Sequence, residues 1–159
     1  KRSVAVGLSQ HVSKLIALHL IKLAVGASSI EEIEKFQEKR RKERKQKPNT
    51  PHRVFTRSTP KRTEELLDGG SLYWVIKGVI LARQRILDLQ EVNLGDGIPR
   101  CDLVLDAEVI RTEAAPRRPF QGWRYLDPKE SPRDLPKGRA KDDPLPPKLA
   151  QALAELGLH

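Results

Sequence analysis

Apolar positions recur along this chain with two different periods, and the places where the period changes mark out its elements. Residues 15–25 form an apolar run that ends at Gly26 and is too short for an average helix, which predicts a buried strand. Ser28 or Ser29 then offers an N-cap, with Glu31 or Glu32 as the capping-box acid, and Ile30, Ile33 and Phe36 supply a helical apolar face. Beyond Phe36 that face stops while strong helix formers continue to Lys47. A helix that is polar all round projects into solvent or lies on a partner, so a protruding basic helix is predicted over about 37–47. Pro48 and Pro51 end it.

The period then shortens. Residues 54–56 suggest a short strand, and Thr59-Pro60 reads as the start of a short helix closed by Gly69-Gly70. The richest β signal follows at 71–77. Gly78 interrupts it, suggesting a bulge or sharp bend, and a second β run covers 79–92, for which a helix over 79–89 is the competing reading. Gly95-Asp96-Gly97 marks a hairpin turn, with strands expected at 101–105 and 109–112. From Ala114 prolines leave little room for long elements, until Leu149, Leu153 and Leu156 outline a short amphipathic terminal helix. The order predicts an α+β fold: a small, strongly curved mixed β-sheet or barrel with flanking helices and extended basic and Pro-rich tails. Three segments follow, with a basic extension at 1–17, a core domain at 18–135 and a Pro-rich tail at 136–159.

Composition changes this picture chiefly through charge. The net charge is +9, and it is unevenly placed: the first 63 residues hold 16 lysines and arginines against 5 acids, the remainder 14 against 16. A basic front on a near-neutral back suggests a polyanionic partner, with nucleic acid ahead of an anionic membrane or an acidic protein. The single cysteine, Cys101, excludes an internal disulfide and a cysteine-rich zinc module, and points to a reducing compartment. No apolar run approaches the ~18 residues of a membrane span. No acid precedes Glu31, whereas Lys1, Arg2, Lys14 and Lys22 are basic, a composition similar to the downstream part of an organellar targeting sequence.

Three clusters carry candidate chemistry. Lys39, Arg40, Arg41, Lys42, Arg44, Lys45 and Lys47 place seven cations beside one anion, Glu43. Solvated helix faces usually mix signs, and like charges four apart destabilise an isolated helix, so this density favours closely spaced phosphates. Arg117, Arg118, Trp123 and Arg124, with Phe120 and Tyr125, combine planar cations with rings that either stack on single-stranded bases or fill the core. The chain has three Phe, two Trp and two Tyr, a scarcity that favours the core for the rings but not for Arg117 and Arg118. Arg83 and Arg85 share one face of a strand, as a basic surface or as ordinary solvent-side residues. The four histidines are dispersed, no Gly-rich phosphate loop is present, and no nucleophile–base constellation stands out. We therefore expect no catalytic residues, no metal and no cofactor.

Residues 18–26 (LHLIKLAVG), 69–78 (GGSLYWVIKG) with Arg83-Gln84-Arg85, and 117–126 (RRPFQGWRYL) together resemble an uncharacterised bacterial family catalogued as a domain of unknown function. The resemblance covers about 18–135 and implies no activity. The chain departs from that family in its stretch ahead of Leu18 and in its longer basic helix around 39–47, both of which add positive charge. The element order more faintly resembles the PUA and EVE group of small β-barrels, which implies reading of RNA or modified bases. The expected function is that of an RNA-binding, non-catalytic component or assembly factor of a ribonucleoprotein, foremost a mitochondrial ribosome in the matrix, with a bacterial cytoplasmic setting as the alternative. Its expected partners are RNA, above all rRNA, and neighbouring proteins, with no membrane and no small-molecule substrate. The competing expectations are a base-recognising or RNA-processing protein with a pocket near Trp74 and Trp123, and a basic module that binds an acidic protein.

Overall fold

The computed structural model describes residues 17–136; the basic extension before them and the amphipathic helix expected around 149–156 lie outside the described residues. The elements run β1 (His19–Leu23), α1 (Ile30–Glu43), β2 (His52–Thr56), α2 (Thr63–Leu67), β3 (Ser71–Ile76), β4 (Val79–Val92), β5 (Arg100–Leu105), β6 (Ile110–Pro116) and β7 (Trp123–Leu126), followed by a 3-10 turn at Pro128–Glu130. The fold is α+β, with the strands in one mixed sheet. β1 and β3 are parallel, and the other pairings are antiparallel.

The 14-residue strand β4 organises the sheet. Its first half pairs with β3 on one edge and β6 on the other, and its second half pairs with β5, giving the path β2-β5-β4-β3-β1-β7. Register shifts at Leu81 and Leu87 let β4 bend between its two sets of partners. β2 and β7 remain edges, so the sheet is not closed and the barrel alternative is corrected. Side chains of β7 nevertheless reach the chain leaving β2: Trp123 Nε1 donates to the Ser58 carbonyl at 2.9 Å, and Tyr125 Oη accepts the backbone N–H groups of Lys61 and Arg62.

All six residues of β3 are buried because both faces of the sheet are covered there. One face packs Leu20, Leu72, Trp74, Ile86, Leu103 and Leu105 against Ile33 of α1 and Leu66 of α2. The other packs Ile21, Tyr73, Val75 and Ile80 against Leu126, with Phe120 and Ala115 alongside. β5 keeps a clean alternation, burying Cys101, Leu103 and Leu105.

Three sequence expectations are corrected. The interruption at Gly78 is a two-residue hairpin turn rather than a bulge: Lys77 and Gly78 both take positive φ, 50° and 82°, as a twist-matched turn requires. The helix expected from Thr59-Pro60 starts at Thr63, because the Tyr125 hydroxyl holds the Lys61 and Arg62 amides outside the helix. The basic helix stops at Glu43, short of Lys47. Lys45 adopts φ 55°, and the Gln46 and Lys45 amides donate to the carbonyls of Arg41 and Lys42, the double bond of a Schellman cap. The start of α1 follows the capping expectation, with Ser29 Oγ accepting the Glu32 amide at 3.2 Å and the Glu32 carboxylate accepting from Ser28.

Candidate nucleic-acid interface

The inward face of α1 is not purely apolar. Ile30 and Ile33 begin it, and Gln37 and Arg41 continue it at helical spacing, both of them buried. The second half of the helix therefore lies on the protein's own sheet instead of projecting. A buried amide needs partners, and Gln37 finds them in Gln84 of β4: each amide donates to the other, at 2.8 and 2.9 Å. Gln84 also accepts from Trp74 Nε1 at 2.9 Å and donates to the Asp106 carbonyl at 2.8 Å. Glu31 and Glu34, on the flank of α1, clamp Arg111 of β6 at 3.3 and 3.2 Å.

This seating turns Phe36 outward. Expected on the buried face, it is 56% exposed and overlooks a cleft of about 380 Å³ between α1, residues 24–27 and β2. Trp74 lies at the inner end of this cleft, and the half-exposed Phe55 and the exposed Val25 line it. Arg40, Arg44 and Arg53 line it as well, with the Arg40 guanidinium 5.8 Å from the Phe36 ring centre. A smaller concavity of about 200 Å³ adjoins it, lined by Arg40, Arg41, Arg44, His52 and Arg53 and by no acidic residue.

The seven predicted cations of the helix region separate by role. Lys39, Lys42, Arg44, Lys45 and Lys47 are exposed, Arg40 is half-buried, and Arg41 is buried with its Nε donating to the Thr50 carbonyl at 2.8 Å. Lys42 pairs with Glu38 at 3.7 Å, and among the described residues the other six make no ion pair. Their field, added to burial, holds His52 well below its ordinary range, at about 4; burial is the larger cause, followed by Arg41, Arg44 and Arg40. His52 is thus neutral in the fold while an unfolded chain would protonate it near the ordinary histidine value of 6.5. The unfolded state binds the extra proton between those limits, so stability should fall as pH drops from about 6.5 to about 4. A ring titration followed by NMR should give a His52 midpoint near 4, and a midpoint near 6.5 would show that neither burial nor the neighbouring cations are felt.

The other predicted residues are engaged within the protein to different degrees. Arg83 binds Asp134 through two 2.8 Å contacts and Ser71 Oγ through a third, so its charge is spent internally. Arg85 lies half-buried on the same strand, opposite Ser71 in the register. Arg117 donates to the carbonyls of Pro116 and Glu130, while Arg118 is exposed. Trp123 packs edge-on to Tyr125 and against the core, and Arg124 donates to the Gln121 and Trp123 carbonyls over the Phe120 ring. The rings at 120–125 therefore brace the fold, and Trp123 does not line the cleft with Trp74. Sequence reasoning missed His52, Arg53 and Phe55. The available signal was β2 itself, where Arg53 and Phe55 alternate on the exposed face.

Among the described residues no group of three or more His, Cys, Asp and Glu side chains could hold a metal ion, and no helix is long and apolar enough to cross a membrane. The fold and the cleft together define an α+β protein with an open mixed sheet and a cation-rimmed, aromatic-lined groove on one face. The chain belongs to the family described as protein of unknown function DUF1489, whose family model matches residues 20–159. No curated protein and no solved structure matches it.

Proposed function

We propose that this protein is an RNA-binding, non-catalytic component or assembly factor of a ribonucleoprotein, foremost a ribosomal particle of the mitochondrial matrix. The observation that carries the proposal is the lack of ion pairing at Lys39, Arg40, Arg41, Arg44, Lys45 and Lys47 among the described residues, beside a groove lined by exposed phenylalanines. Six cations crowded at one helix end repel one another, and a phosphodiester backbone relieves that repulsion while releasing its own condensed counterions. The Arg40 guanidinium over the Phe36 ring fits the same partner, since guanidinium groups and rings both stack on unpaired bases. Of the candidates named from sequence, the helix cations and Arg118 are the side chains best placed to contact RNA. Arg83 is not, because Asp134 already neutralises it.

Electrophoretic titration with a structured RNA at rising salt tests the proposal. Changing Lys39, Lys42, Lys45 and Lys47 to glutamine should weaken binding uniformly across RNA sequences. It should also flatten the log-affinity against log-salt slope by about 3, at roughly 0.7–0.9 per lost phosphate contact. A complex insensitive to salt, or none at all, would overturn the reading. Crosslinking in native extracts that recovers protein neighbours but no RNA would point to an acidic protein partner in its place.

A further inference from the structure

The groove and the smaller concavity share Arg40, Arg44, His52 and Arg53, so they adjoin across these four side chains. Their chemistries differ. The groove offers Trp74, Phe36, Phe55 and Val25, with the Glu32 carboxylate at its edge, in a mainly apolar, half-open cleft within the ~300–1,000 Å³ range typical of small-ligand sites. The concavity offers guanidinium groups and a neutral imidazole, without a carboxylate in its lining. At its inner wall Arg41 is only 8% exposed, and its Nη2 is buried with no hydrogen-bond partner among the described residues. An unpaired guanidinium nitrogen away from water is costly, and an anion seated beside it would offset that cost.

We infer that this bipartite site takes one nucleotide unit of an RNA strand, its base in the Trp74–Phe36–Phe55 groove and its phosphate against Arg40, Arg41 and Arg44. The inference rests on the RNA-binding reading and deepens it from backbone attraction to the holding of an individual unpaired nucleotide. Neither half of the site explains the other: an apolar partner would not need the arginines, and a free anion would not need the exposed rings. Phe36 and Arg40, one helical turn apart, stand at the junction of the two chemistries, with His52 packed edge-on to Phe36 at 6.1 Å between centroids. A phosphate placed there would also face His52, whose charged form it would favour against burial and the repulsion of Arg41, Arg44 and Arg40.

The test uses the full chain and four small probes by isothermal titration: uridine 5′-monophosphate, adenosine 5′-monophosphate, uridine and inorganic phosphate. At least one monophosphate should bind about tenfold or more tightly than uridine or inorganic phosphate alone, the gain expected of a charge-assisted contact. Arg44→Gln, at an exposed position whose side chain has no partner among the described residues, should reduce the monophosphate to the affinity of the nucleoside. The double change Phe36→Ala and Phe55→Ala should reduce it to that of inorganic phosphate. Arg41→Lys, checked by thermal melting, should lose the same increment as Arg44→Gln. Binding should also raise the NMR-detected midpoint of His52, which purely structural packing would leave unmoved. Equal affinities for uridine and its monophosphate, no binding of either monophosphate, or equally tight binding of a phosphoserine peptide would overturn the inference. If a structured RNA still binds with salt dependence while the monophosphates do not, this site is wrong and the backbone reading stands. If the monophosphates bind and no RNA polymer does, the polymer reading fails and the nucleotide site survives.

Discussion

Gly70→Ala is expected to destabilise the fold by about 3 kcal/mol or more, at the upper end of what overpacking costs in protein interiors. Gly70 is buried at the entry to β3, where its amide donates to the Leu66 carbonyl at 3.0 Å and its carbonyl accepts from Ile86 at 3.0 Å. A methyl group there would press into the carbonyl oxygens of Leu18 and Leu66, far inside van der Waals contact. Both obstacles are main chain, so no rotamer change relieves them. Relief would require α2 to part from the start of β1, opening the core around Leu20 and Leu66. Urea unfolding should show the midpoint falling steeply or no cooperative transition remaining. Gly26, where an added methyl meets nothing within 4 Å, is the control for crowding, though its φ of 85° makes alanine strained there as well.

The second large effect is expected at Gln84. Gln84→Leu keeps the volume but strips the buried network of its centre. It leaves the Gln37 amide, Trp74 Nε1 and the Asp106 carbonyl without the contacts they now make. Each buried group left unsatisfied costs about 1–3 kcal/mol, so a loss of roughly 3 kcal/mol or more is expected by urea unfolding. The double change Gln37→Leu with Gln84→Leu should be less harmful than the sum of the two single changes, because it removes both members of the reciprocal amide pair. Additive losses would show that the two amides do not act as a unit. Since this network seats α1 and borders Trp74, the single change should also disturb the Trp74–Phe36–Phe55 cleft and, on the site inferred above, weaken monophosphate binding in whatever fraction remains folded.

Much of the fold was legible from residue order. Ser28, Ser29 and Glu32 announce the start of α1, the alternation in Cys101, Leu103 and Leu105 announces β5, and Gly95 and Gly97 announce the hairpin before it. These are local signals, set by backbone capping, pleat geometry and turn sterics within a few residues. The misreadings share a different cause. Gly78 was ambiguous because a glycine between two apolar runs serves a bulge and a tight turn equally, and only antiparallel pairing of β3 with β4 selects the turn. The helix start at Thr63 depended on the Tyr125 hydroxyl, 63 residues from the amide of Arg62 that it holds.

The candidate site divides in the same way. The density of cations from Lys39 to Lys47 is a property of the chain, and with it the expectation of an anionic partner. Which of those cations face outward is not. Gln37 and Arg41 read as solvent-facing because polar side chains pay heavily for burial when alone, and their partners, Gln84 and the Thr50 carbonyl, meet them only after the sheet has formed. The groove is likewise a product of assembly, drawing Phe36 from a helix, Phe55 from an edge strand and Trp74 from the centre of the sheet. Sequence by itself determined most of the strands, the N-cap of α1 and the positive charge of the 39–47 segment, since these follow from the residues themselves and from interactions between near neighbours. Tertiary structure alone decided where the rings and guanidinium groups converge, because that requires distant segments to exchange water for one another.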